Sequence, residues 1–400
     1  MSTRNPTMMT RRGLLGGALA LPLAAGSSRL AFANADGDSR FVLVILRGGL
    51  DGMAAVAPLG DPDYRRLRPG LALDEPGRPD GALDLDGFFG LHPALGACGA
   101  MYDAGEMLVV HAVASPYRKR SHFDAQNVLE TGAAVPNAMH DGWLNRALAA
   151  WGTTATDRGL AIAQSPPLAL QGATTVATWA PSAMPELAPD VMAMVQALYA
   201  ADPLLGPALE DGLRTRALAG PGRQRRGDLA TLAATAGRIL AEPEGPRIAT
   251  LEAYGWDTHA NQGAAHGLLA RRLGDLDAGL AALRDGLGAE AWNRTVVVVV
   301  SEFGRTAAQN GTRGTDHGTA GVALVLGGAV DGRRVLTTWP GLSRDSLFEG
   351  RDLAPTCDLR ALFGDVLTGH LGLEPAWVEA RVFPGGIGAG PGGSLLKSRA

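Results

Sequence analysis

Six side chains able to bind a cation or move a proton stand just beyond apolar runs. Asp51 follows Phe41 to Arg47, FVLVILR, within Gly48-Gly49-Leu50-Asp51-Gly52. Asp257 and His259 lie in Tyr254-Gly255-Trp256-Asp257-Thr258-His259, after the apolar stretch Arg247 to Ala253. Glu302 follows Thr295 to Val300, and Asp316-His317 arrives eleven residues after Arg305 in a Gly/Thr-rich loop. One Asp or His after a strand is more often a helix cap or a satisfied polar group. Carboxylates and imidazoles brought together from four loops would instead form an oxygen and nitrogen donor set, suited to Zn, Mn, Mg or Ca rather than a soft metal. A further group is Ser121, which with His122 precedes an amphipathic pattern. It stands either as an N-cap or as a nucleophile at a helix N-terminus, where Arg118, Lys119 and Arg120 prepare a place for an anion.

The elements that must position these groups are legible as buried strands. Thr295 to Val300 is almost pure β-branched hydrophobe, which only a strand covered on both faces can use. Open α/β sheets place ligands at the carboxyl ends of their strands, so Asp51, Asp257, Glu302 and Arg305 are expected at one edge. Gly321 to Leu326 returns the chain to the sheet, and Met107 to Val113 adds another strand. A helix from about Gly263 to Gly286 is expected to cross between the Arg247 and Thr295 strands, and another to run from Asp358 to Leu371. Residues 58–93, rich in Pro, Gly and Asp, read as a surface excursion. Residues 159–180 read as a small insertion or hairpin region. Residues 185–240, rich in Ala and Leu, read as a cap of three helices, and the Gly-rich residues 386–400 as a flexible tail.

The chain has 400 residues, 46% of them hydrophobic, and a formal net charge of -4, so it can bury a large core and has no basic excess for nucleic acid. Arg11-Arg12 precede a modest apolar run that ends near the small-x-small triplet Ala31-Phe32-Ala33. That pattern resembles a twin-arginine signal, predicting a leader over residues 1–33, the twin-arginine machinery as a partner, and a periplasmic or secreted mature chain. The run is too short for a membrane span, and none is expected after cleavage. Cys98 and Cys357 are the two cysteines; they exclude a thiolate cluster and leave open both a disulfide and two buried thiols.

GGLDGM, SHFDAQNVLETG, YGWDTHANQG, SEFGRT and GTDHGTAG, in this order behind such a signal, resemble the domain of unknown function 1501 family, within the alkaline phosphatase and sulfatase-like superfamily. The resemblance implies an α/β fold over residues 34–385: an alkaline phosphatase-like α/β/α sandwich with a mostly parallel central sheet and a helical insertion. It also implies roles. Asp51, Asp257, His259, Glu302 and His317 would be metal ligands, with Asp316 able to supply a missing one, and Ser121 the nucleophile. The sequence departs from the superfamily pattern at Phe303, where an imidazole is expected, and in the tight Asp257-Thr258-His259 spacing. The expected activity is hydrolysis of a phosphate ester, less readily a sulfate ester, with Arg118, Lys119 or Arg305 steadying the equatorial oxygens. The competing expectation is an exported binding or assembly protein that keeps the fold without turnover. No Gly-x-Ser-x-Gly elbow supports a carboxylic ester hydrolase.

Overall fold

The computed structural model describes residues 38–150, 158–181, 188–203, 205–219 and 228–398. The expected leader, residues 1–33, and its cleavage site lie outside these residues. No helix among the described residues is long and apolar enough to cross a membrane.

The centre of the molecule is β1, Arg40–Arg47, because its alternating residues bury against two separate cores. Val42, Val44 and Leu46 belong to one, Phe41, Leu43 and Ile45 to the other. Its neighbours are β5, Ile248–Tyr254, and β6, Thr295–Ser301, both parallel to it. The remaining strands of this sheet are β2 (Met107–Ala114), β3 (Gly159–Ala161), β4 (Ala177–Thr178), β7 (Gly321–Leu326), β8 (Val335–Leu336) and β9 (Cys357–Asp358). The nine-stranded sheet runs β8-β2-β7-β6-β1-β5-β3-β4, with β9 also paired to β2. Only β7 pairs antiparallel, with β6 and β2. Residues 159–180 therefore correct the expected hairpin: β3 extends the sheet parallel to β5, and β4 lies parallel to β3.

Helices cover both faces, which is why the strands read as unbroken apolar runs. On the Val42 face lie α1 (Gly96–Asp103), α6 (Leu229–Ala241) and α7 (Leu268–Trp292); on the Phe41 face lie α3 (Trp143–Ala149) and α8 (Leu359–Asp365). The protein thus has a mixed α/β fold, a multi-strand sheet with flanking helices. The α7 helix starts later than Gly263 because residues 261–267 form a loop in which Asn261, Gly263 and Gly267 take positive φ.

Three other expectations change. The cap shrinks: α4 (Pro189–Tyr199) and α5 (Leu205–Ala219) fall in it, but α6 is a core helix. A Cβ on Gly237 would come 2.6 Å from the Leu283 carbonyl oxygen, so glycine lets α6 and α7 meet backbone to backbone. Residues 58–93 are no mere surface excursion, since Tyr64, Arg68, Leu73 and Leu91 are buried there. Within the expected flexible tail, Leu395 is buried and Leu396 pairs with Val330, because this apolar pair covers the Val330 region of the second core. Cys98 and Cys357 are free, buried thiols on opposite faces of the sheet, so no disulfide joins them.

Candidate metal centre

Strand register sets the site. Arg47 lies opposite Tyr254, Leu46 opposite Ser301, and Val113 opposite Gly321, so the loops after β1, β2, β5 and β6 and before β7 open at one edge. Gly48 turns the chain there at φ 125°, and a Cβ on it would lie 2.7 Å from the Asp257 backbone nitrogen. Close approach of the two loops thus requires glycine.

The α2 helix, His122–Thr131, begins at the same edge and adds a group that the sequence expectations assigned no role. His122 Nε2 lies 3.0 Å from His317 Nε2 and 3.5 Å from Asp257 Oδ2, and His317 Nε2 is 3.3 Å from Asp257 Oδ1. His259 approaches from the other side, its Nε2 2.9 Å from Asp257 Oδ1 and 3.0 Å from His317 Nε2. Donors about 2.0–2.2 Å from one ion in tetrahedral array stand about 3.3–3.6 Å apart; His122 and His317 meet the two different oxygens of Asp257 at 3.5 and 3.3 Å.

The outer nitrogens strengthen this fit. His122 Nδ1 donates to Glu302 Oε1 at 2.8 Å, His317 Nδ1 to the Arg120 carbonyl at 3.1 Å, and His259 Nδ1 to Asp316 Oδ1 at 3.2 Å. A ring that is neutral with its proton on Nδ1 turns a bare Nε2 lone pair inward. At 3.0 Å beside a carboxylate, such nitrogens need a proton or a metal cation among them. His122, Asp257 and His317 form a compact cluster able to coordinate a metal ion, with all three ligand atoms within 4.8 Å of one another.

The profile of a protein of unknown function, DUF1501, matches residues 89–382. The chain belongs to this family. No curated protein matches the sequence. Among solved structures, this DUF1501 protein is similar to Ps i-CgsB in complex with k-i-k-neocarrahexaose, at 11% identity and TM-score 0.42, over 84% of this chain and 72% of that one. It is similar to the phosphonate monoester hydrolase of Agrobacterium radiobacter at 12% identity and TM-score 0.37, over 84% and 74%. A third is the C-terminal periplasmic domain of EcEptC from Escherichia coli, in complex with Zn, at 10% identity and TM-score 0.39, over 72% and 73%.

The site residues expected of this DUF1501 chain separate into three groups. Asp257, His259, Asp316 and His317 come together. Glu302 stands behind them: fully buried, it accepts from His122, Gln126 and the Gly48 N–H rather than facing the cluster. Burial pushes its carboxyl up, but the bonds from His122, Gln126, its own backbone and Ser301 overcome it and bring it to about 2. Asp51 is set apart. Its Oδ2 accepts from Arg68 Nη1 and Gln262 Nε2, both at 2.7 Å, in a buried ion pair outside the cluster.

The two arginines are corrected as well. The Arg305 guanidinium is buried and committed to the carbonyls of Gly48, Gly49, Trp256 and Thr315 and, at 2.6 Å, to Asp257 Oδ1. At 1% exposed, it faces these partners rather than a substrate. It holds Asp257, whose carboxyl burial would raise but the Arg305 bond and charge lower. Arg118 turns back to the carbonyls of Ser115 and Tyr117. Ser121 occupies the N-cap position of α2 but makes no side-chain cap bond, which leaves its hydroxyl near Tyr117. Phe303 packs on His122 and His317 with ring centroids at 4.8 and 5.0 Å, an apolar wall where the superfamily pattern puts another imidazole.

Proposed function

We propose that this protein is an exported, metal-dependent hydrolase of phosphate esters, built on a phosphatase-like α/β/α sandwich. The observation that carries the reading is the convergence of inward-facing Nε2 atoms on Asp257, each ring oriented from behind by a carboxylate or carbonyl. His122, Asp257 and His317 would hold the ion, with His259 at its flank. An imidazole-rich set favours zinc or a similar first-row ion over Mg or Ca. When bound, such an ion supplies Lewis acidity toward a phosphoryl oxygen.

The chain's own residues do the rest. Glu302 fixes the His122 ring, Arg305 keeps Asp257 ionised and in place, and Phe303 keeps water from one side. Phe303 also favours a single-ion centre over a two-ion one. Ser121 is the proposed nucleophile, its hydroxyl free of the cap bond that would otherwise occupy it. With Arg118 and Arg305 committed elsewhere, the uncapped N–H groups of the first turn of α2 are left to meet the anion. The paired arginines Arg11 and Arg12 support a periplasmic or secreted location.

Metal analysis of the purified mature chain tests the reading together with turnover of p-nitrophenyl phosphate and its diester. About one ion per chain is expected, lost in His317→Ala, with turnover that follows metal content. Bound metal without turnover of either ester would replace the hydrolase by the non-catalytic binding protein.

A further inference from the structure

Beside the trio lies an open cleft of about 450 Å³, lined by Arg47, Gly48, His122, Gln126, Glu130, Glu252, Tyr254 and Asp257. One wall is a single face of α2, because His122, Gln126 and Glu130 are spaced four residues apart. At 1.5 Å per residue the cleft therefore runs about 12 Å from the candidate metal centre to Glu130. Its near end adjoins Asp257 and His122; its far end is built differently.

There Arg47 is gripped between two carboxylates. Its Nη1 donates to Glu130 Oε1 at 2.6 Å and its Nε to Glu252 Oε1 at 2.7 Å. Arg47 is the one arginine or lysine in the lining among the described residues, and it is spent on this pair. Two carboxylates and one guanidinium leave a negative charge in excess. Tyr254 adds an aromatic face: it is 65% exposed, and its hydroxyl donates to Glu252 Oε2 at 3.1 Å, which ties the ring to the acidic group. An exposed ring beside surplus negative charge suits an organic cation, through ion pairing and cation–π contact together. It disfavours a second anion.

We propose that this cleft receives the leaving group of the substrate and that this group carries an organic ammonium. The inference rests on the hydrolase reading for the word substrate, but the cation site stands or falls by itself. The full substrate would then be dipolar, its anionic ester at the metal end and its cation against Tyr254 and Glu252.

Tetramethylammonium is the probe, titrated into the metal-loaded mature chain and followed by saturation-transfer NMR. Wild type is expected to bind it, and choline to displace it, whereas the uncharged isostere 3,3-dimethylbutan-1-ol does not. Tyr254→Ala should weaken binding about two- to tenfold, and Tyr254→Phe, which keeps the ring, should weaken it less. Glu252→Gln should weaken it as well. Tyr254 is exposed, so its variants are expected to fold, and circular dichroism checks this. Equal displacement by the neutral isostere, or unchanged affinity in both Tyr254→Ala and Glu252→Gln, overturns the proposal, as does no binding to wild type. Ammonium binding without ester turnover removes the hydrolase reading and keeps the cleft. Ester turnover without ammonium binding removes the cleft alone.

Discussion

Replacing Glu302 by Gln tests whether the His122 ring is held for a metal or merely packed. The carboxylate reaches His122 Nδ1, Gln126 Nε2 and the Gly48 N–H through one oxygen, at 2.8, 3.0 and 2.9 Å, and Ser301 Oγ through the other, at 2.9 Å. Gln is isosteric, and its carbonyl can still accept from His122 while its amide faces Ser301, whose hydroxyl can accept. What the substitution removes is the charge behind the imidazole. Bringing that carboxyl from 4.5 to about 2 corresponds to about 3 kcal/mol of preference for the charged form, at about 1.4 kcal/mol per unit. Part of that preference polarises His122 Nε2. Loss of such an outer partner lowers metal affinity about 10- to 100-fold. Competition with a fluorescent zinc chelator reads the affinity, and a urea titration of the metal-free protein reads stability separately. Weaker metal binding beyond any change in apo stability is the expected result. An unchanged dissociation constant, with stability alone reduced, would refute the assignment of His122 as a ligand.

Three further outcomes are expected. His111 is fully buried, its Nε2 on the Val56 carbonyl at 3.0 Å, and burial lowers it to about 4. The unfolded chain therefore binds more protons between pH 6.5 and 4, so stability falls on acidification through that window, by up to about 3 kcal/mol; urea midpoints of metal-free wild type and His111→Gln at pH 7 and 4.5 should show a flatter dependence in the variant. Arg68→Ala strands Asp51 as an unpaired buried charge and should cost about 3–5 kcal/mol, while Asp51→Asn should keep its full metal content; loss of metal in that variant would return Asp51 to the ligand set. Because Ser121 makes no cap bond, Ser121→Ala should change stability by no more than about 0.5 kcal/mol yet abolish phosphate ester turnover; retained turnover removes Ser121 as the nucleophile.

Much of the frame could be read before the structure because β1, β5 and β6 bury both faces, and residues that follow such strands inherit a common edge. Asp257, His259, Asp316 and His317 were legible for that reason. His122 was harder, since in Ser121-His122 the serine offers the more familiar signal at a helix start. The spacing His122, Gln126, Glu130 marks one helix face and was the clue available. Asp51 was misplaced because its partner Arg68 stands in a stretch whose Pro and Gly content suggests exposure, and no local pattern announces a buried ion pair across a loop. Arg305 shows a similar limit. Its five hydrogen bonds reach four carbonyls and the Asp257 carboxylate on three separate segments, and sequence spacing carries no record of such encounters.

The position of β1 between β5 and β6 also governs the timing of folding. Phe41 pairs with Ile248 and Val296, partners more than 200 residues further along the chain. At a synthesis rate of about 5–20 residues per second, the central strand waits on the order of 10–50 s for them to emerge. During that interval Phe41 to Leu46, between Arg40 and Arg47, is an apolar run with an open edge on either side, the kind of segment that associates with copies of itself. Shielding of this strand until β6 is made is thus a requirement of the topology, separate from any side chain of the metal centre.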